Sequence, residues 1–160
     1  MGPPVIDYSG TYHLDRPPRA VWGEIERFER YERWWPWFSG LRADGEGLQP
    51  GVVLHGVVCP PVPYRMRIDV ELGRCTRFRL VEAAVHGDLE GPAHLRLTAE
   101  GSGTCVEVGW SVEMRQVAMR LACRVGRPLL VWGHDRVVAW TVAGFSRHLE
   151  AELPCRGRVR

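Results

Sequence analysis

The sequence contains no lysine: all 21 residues counted as Lys or Arg are arginines. Schiff-base chemistry and a lysine nucleophile are therefore excluded, and the bias itself reads as GC-rich coding rather than a demand for guanidinium groups. No C-x-x-C pair exists among Cys59, Cys75, Cys105, Cys123 and Cys155, and an odd count argues against a complete disulfide framework. Reduced thiols in a cytosolic protein are the plainer expectation. H-x-H, H-E-x-x-H and clustered Cys–His spacings are also missing, so neither metal nor cofactor is expected; a metal site would need residues from distant strands. There is no G-x-S-x-G elbow, P-loop or dinucleotide fingerprint, which removes the commonest enzyme classes visible in sequence. The opening MGPPVIDYSG lacks a charged segment followed by an apolar run, and Ile6 stands where a myristoylation signal has Ser or Thr. Neither a secretion signal nor a lipid anchor is expected. The apolar stretch near the C-terminus is interrupted by His134, Asp135 and Arg136, which makes a membrane span costly. A formal charge of only +2, with acidic and basic residues interspersed, leaves no electrostatic footprint for nucleic acid.

What is present reads as one α+β domain. At 160 residues the chain can bury a single sizeable core, and no linker divides it; the domain is expected over 1–153, with 154–160 a disordered tail. VIDYSGTYHL predicts a strand, and Pro17-Pro18 a helix start. Val21, Ile25 and Phe28 then recur at helical spacing, with Glu24, Glu26, Arg27 and Arg30 predicted to face away. A second short helix, YERWW, ends before Pro36, and LRADGEGLQPG reads as a glycine-rich connection. From Gly51 to Glu113 the period becomes two. Tyr64, Met66, Ile68, Val70 and Leu72 share one face, as do Val106, Val108, Trp110 and Val112; TRFRLVEAAV and AHLRLTAE read as strands between them. GSG at 101–103 predicts a hairpin turn between the last two strands. From about Met119 to Leu153 the helical period returns, with Leu130, His134, Val137, Val138, Thr141 and Phe145 on one stripe. The order is strand, two helices, an antiparallel meander and one long C-terminal helix to cover its apolar face.

PPRAVWGEIERFERYERWWPWF, VPYRMRIDVEL, HGDLEGPAHLRL followed by GTCVEVGWSVEM, and RPLLVWGHDRVV occur in an order and spacing that cover most of residues 5–150. This arrangement resembles the START and birch-pollen-allergen (SRPBCC) superfamily, in particular its bacterial polyketide cyclase/dehydrase and lipid-transport-like branch. The resemblance implies a helix-grip fold, a curved antiparallel sheet wrapped around a long C-terminal helix, with two short helices after the first strand. It also implies a deep apolar cavity between sheet and helix for a lipid, polyketide or other aromatic compound. The fold hosts binders, carriers and enzymes alike. No motif fixes catalytic groups, so binding ranks first, and a cofactor-free aromatase/cyclase or dehydratase is the alternative. No oligomeric state is implied.

His134 and Asp135 adjoin, and neighbours on a helix point about 100° apart, which rules out a side-chain dyad. His134 shares the inward stripe, where a buried neutral imidazole serves a ligand carbonyl or hydroxyl, or acts as general acid/base. Asp135 is expected at an edge, paired with an arginine of the sheet or first helices. His86, Asp88 and Glu90 alternate along VHGDLEG: on the concave side they are recognition or catalytic groups, on the convex side merely solvated. His86 is thus the second candidate acid/base. Trp34, Trp35 and Trp37 form a dense cluster that reads as a cavity entrance or an exposed apolar patch, with at least one in the core. Tyr64, Met66, Trp110 and Trp132 are plain core or cavity wall. The expected ligand-binding set is Trp35, Tyr64, Met66, Trp110, Trp132, His134 and Val138.

Overall fold

A computed structural model describes the backbone of residues 4–61 and 64–151, and their side chains except at 118, 119, 122–125, 127, 129–131, 133, 150 and 151. The expected tail, 154–160, and the side chain of Leu130 lie outside these residues.

The elements run β1 (Val5–Leu14), α1 (Pro18–Ile25), a 3₁₀ turn (Phe28–Arg30), α2 (Tyr31–Trp34), β2 (Phe38–Ala43), β3 (Val53–Val58), β4 (Met66–Thr76), β5 (Leu80–Gly87), β6 (Leu89–Glu100), β7 (Gly103–Met114) and α3 (Val117–Ala151). The strands form one antiparallel sheet in the order β1-β7-β6-β5-β4-β3-β2, so the chain's first strand closes against its last. This curved sheet with a terminal helix laid across it is the helix-grip arrangement. Burial alternates along β1 and β3, as the two-residue period requires. Among the described residues, no helix is long and apolar enough to cross a membrane.

The differences from the sequence reading have local causes. Residues 38–43 pair with β3 as an edge strand, because Phe38 and Ser39 find partners in Val58 and Val57; the bulge that follows interrupts the pattern that reads as a loop. The start of TRFRLVEAAV is the β4–β5 turn. Phe78 there takes a left-handed φ of 64°, with its ring edge-on to Trp22 at 6.0 Å and the guanidinium of Arg77 4.8 Å above it. The terminal helix is not continuous: Gly126 is non-helical (φ −126°, ψ 32°), and Pro128, with no N–H to give, sits at the start of the second segment.

Residues around the helices fix α3 over the sheet. Val21, Trp22, Phe28, Tyr31 and Trp34 are buried in the main core with Leu149 of α3. Glu24, predicted to face water, is instead only 12% exposed, and its carboxylate meets His148 Nε2 at 2.8 Å and Arg27 at 2.9 Å. His148 also stacks on Trp34 at 4.5 Å. Arg16 donates to the carbonyl of Leu149 at 3.0 Å, and Trp35 Nε1 to that of Thr141 at 3.0 Å. At Gly144 the helices touch backbone to backbone: a Cβ there would lie 2.3 Å from the Trp34 carbonyl oxygen.

The same glycine-to-alanine change is therefore expected to have opposite signs at two helical positions. Gly144→Ala should destabilise by about 1–3 kcal/mol through overpacking. Gly23→Ala, where a Cβ meets nothing within 4 Å, should stabilise by about 0.5–1 kcal/mol. Urea unfolding midpoints of the two variants check both.

Candidate functional site

Between the concave face of the sheet and the second segment of α3 lies a cavity of about 400 Å³, within the range of small-molecule sites. Its floor follows from strand parity. Ile6, Tyr8 and Tyr12 project from β1, Val106, Val108 and Trp110 from β7, and Met66 and Ile68 from β4; His134, Val138 and Phe145 form the roof. Trp35, Trp37 and Tyr64 supply the remaining aromatic wall. Among the described residues, no Asp, Glu or Arg lines it.

At one end Tyr8 and Trp110 are cross-strand partners whose rings stack at 4.4 Å. The imidazole of His134 meets both edge-on, at 5.5 Å from Tyr8 and 5.6 Å from Trp110. The hydroxyls of Tyr8 and Tyr12 hydrogen-bond to each other. They can do so because the residue between them on that face is Gly10, where a Cβ would sit 2.3 Å from the Tyr8 hydroxyl. Burial first, then the Tyr12 hydroxyl and the charge of Asp135, push the Tyr8 phenol up to about 12.

His134 is 20% exposed at its side chain, and its Nε2 is buried without a hydrogen-bond partner. Its Nδ1 lies 3.6 Å from Asp135 Oδ1, too long for a hydrogen bond, as the 100° offset of helix neighbours requires. Among the described residues, Trp37 Nε1 is the other buried side-chain nitrogen or oxygen without a partner, and it too belongs to a cavity-wall residue. Asp135 is 70% exposed and pairs with no arginine among the described residues, contrary to expectation. It stands instead beside Tyr8 and Tyr12 at a shallower opening between β1 and α3.

Of the residues singled out from the sequence, Trp35, Tyr64, Met66, Trp110, His134 and Val138 meet around this cavity, and Trp132 and His86 do not. Trp132 is 47% exposed, with Arg136 over its ring at 5.7 Å; two residues from His134, it is turned to another side of the helix. His86 follows inward-facing Val85 on β5 and so projects from the convex face, where Glu71 lies 3.5 Å away. Nor do His86, Asp88 and Glu90 share one strand. The chain leaves β5 at Gly87; Asp88 accepts the Arg67 backbone N–H at 2.7 Å, and Glu90 accepts from Arg115 at 2.5 Å. The tryptophan cluster is turned inward, with Trp34 in the core and Trp35 and Trp37 in the wall. Tyr8 and Tyr12 were missed by the sequence reading, although Ile6, Tyr8, Tyr12 and Leu14 keep the strand period of one inward face.

No protein-family model matches the sequence, and no curated protein matches it. Solved structures do. The Zhui aromatase/cyclase from Streptomyces sp. R1128 is 15% identical, with a TM-score of 0.77 over 97% of this chain and 99% of that one. A START superfamily protein from Mycobacterium smegmatis is 14% identical, with a TM-score of 0.70 over 92% and 99%. Ara h 8.0201, a Bet v 1-like protein, is 9% identical, with a TM-score of 0.64 over 93% and 100%. The chain thus shares the helix-grip fold of these proteins.

The Tyr8 phenol carries a sign for stability. An acid whose folded pKa is raised adds stability that is fully present below its unfolded value of 10.0 and is lost as pH rises towards about 12. Unfolding free energy is expected to fall across that window, and to fall less in Tyr8→Phe. Urea titrations of both proteins between those pH values test this.

Proposed function

We propose that the protein binds an uncharged, mainly hydrophobic small molecule of lipid-, polyketide- or aromatic-like type in the cavity beneath α3, as a soluble cytoplasmic binding protein. The observation that carries this reading is the pair of buried, unpartnered polar atoms, Trp37 Nε1 and His134 Nε2, in a wall that is otherwise almost wholly apolar. Each unpaired buried group costs about 1–3 kcal/mol, which a ligand oxygen within reach would recover. Trp37 offers only a donor, whereas His134 offers a donor or an acceptor according to its tautomer. A flat ligand bearing a carbonyl or hydroxyl among apolar rings suits both, and the Tyr8–Trp110 stack offers it an aromatic face. A charged ligand would find no countercharge among the described residues of the wall.

One observation favours a second reading, a cofactor-free cyclase or dehydratase. His134 lies in the cavity wall with its imidazole edge-on to the stacked Tyr8 and Trp110 rings, and a general acid/base needs such a position facing the ligand. In that reading the apolar walls fold a flexible substrate while His134 transfers a proton. His86, on the opposite face of the sheet, takes no direct part.

The binding reading is tested by comparing 1-naphthol with naphthalene, two rings of similar size that differ by one hydroxyl. Tryptophan quenching should give saturable binding of both, with naphthol at least about tenfold tighter. Trp37→Phe or His134→Phe should remove most of that preference and leave naphthalene affinity nearly unchanged. Equal affinities in the wild type, or a preference untouched by both substitutions, would contradict the proposed role of the two nitrogens.

A further inference from the structure

We infer that His13, Glu100 and Cys105 form a binding site for a zinc-type divalent cation on the outer face of the sheet. The three residues come from three strands, β1, β6 and β7, which explains why no compact spacing announces them. His13 is the register partner of Cys105 across the β1–β7 ladder, and Thr98 of β6 pairs with Cys105 from the other side. Leu14, Thr104 and Val106 beside His13 and Cys105 are buried, and so is Leu97 of β6, three residues before Glu100, so parity sends all three side chains to the face opposite the cavity.

One potential ligand atom from each residue lies within 4.8 Å of the other two, and His13 Nδ1 is 2.9 Å from Glu100 Oε2. Tetrahedral zinc with ordinary bonds to nitrogen, oxygen and sulfur holds its ligand atoms roughly 3.3–3.8 Å apart, a change that rotation of exposed side chains supplies. Imidazole, carboxylate and thiolate are the three side-chain ligand types that zinc accepts. Three protein ligands leave the fourth position to water. The local charge also suits a cation. The Glu100 carboxylate brings a negative charge to the cluster, and a divalent ion bound there would displace the Cys105 thiol proton. Bound there, the ion would tie edge strand β1 to the β6–β7 hairpin. The site is independent of the proposed ligand cavity, since none of the three residues lines it.

Cobalt(II) is the probe, titrated into the full chain under reducing conditions. One equivalent should bind with a near-ultraviolet thiolate-to-cobalt charge-transfer band. Cys105→Ser should abolish the band and weaken binding at least about tenfold, and His13→Ala should weaken binding similarly while keeping the band at saturation. Cys75→Ser should change neither, which separates this thiol from the others. No thiolate band in the folded wild type, or a band of full intensity in Cys105→Ser, would overturn the assignment. Far-ultraviolet circular dichroism confirms that each exposed-site variant is folded.

Discussion

The backbone contact between α2 and α3 at Trp34 and Gly144 is the constraint on which the rest of the molecule depends. A sheet with one apolar face would ordinarily collapse onto the helix that covers it. Here α3 is fixed against the short helices by that contact, by Trp35 on the Thr141 carbonyl, and by His148 held between Glu24 and Trp34. These contacts all lie in its second segment, beyond the break at Gly126. With its height set from the side, the helix roofs the concave face of the sheet and leaves a cavity beneath it.

That construction gives the cavity its chemistry. Strand parity fills the floor with aliphatic and aromatic side chains, and the charged residues of the same strands go to the convex face. The convex face is where His86 meets Glu71 and where His13, Glu100 and Cys105 meet. Inside, polarity is reduced to tyrosine hydroxyls, tryptophan and histidine nitrogens and a few hydroxyl side chains. Two of those nitrogens lack partners, and in an apolar wall such groups would discriminate between ligands more sharply than added apolar area does.

Much of this was legible in the chain because periodicity determines which face a residue occupies. Tyr64, Met66, Trp110, His134 and Val138 all follow from counting twos along strands and threes and fours along the last helix. What failed was information that periodicity does not hold. His86 was undecided because its strand's parity had no anchor until Val85 was placed in the core. Trp132 was misplaced because a broad apolar stripe admits neighbours that the real packing turns outward. Glu24 looked solvent-facing on its own helix, since its partner His148 lies 124 residues away. The outer cluster was invisible for a similar reason: register, not spacing, brings His13 beside Cys105.

The space under α3 is proposed as a binding site for a neutral hydrophobic molecule. Native mass spectrometry of the protein mixed with neutral polycyclic phenols and ketones tests it most directly, with Ala93→Phe as the comparison. Ala93 lies on the cavity floor opposite Trp110, and a phenyl ring there would narrow the space beside the Tyr8–Trp110 stack. A one-to-one adduct is expected in the wild type and is weakened or lost in Ala93→Phe while the folded charge-state distribution is kept. No adduct with any of these compounds, or an adduct that survives the substitution unchanged, would contradict it.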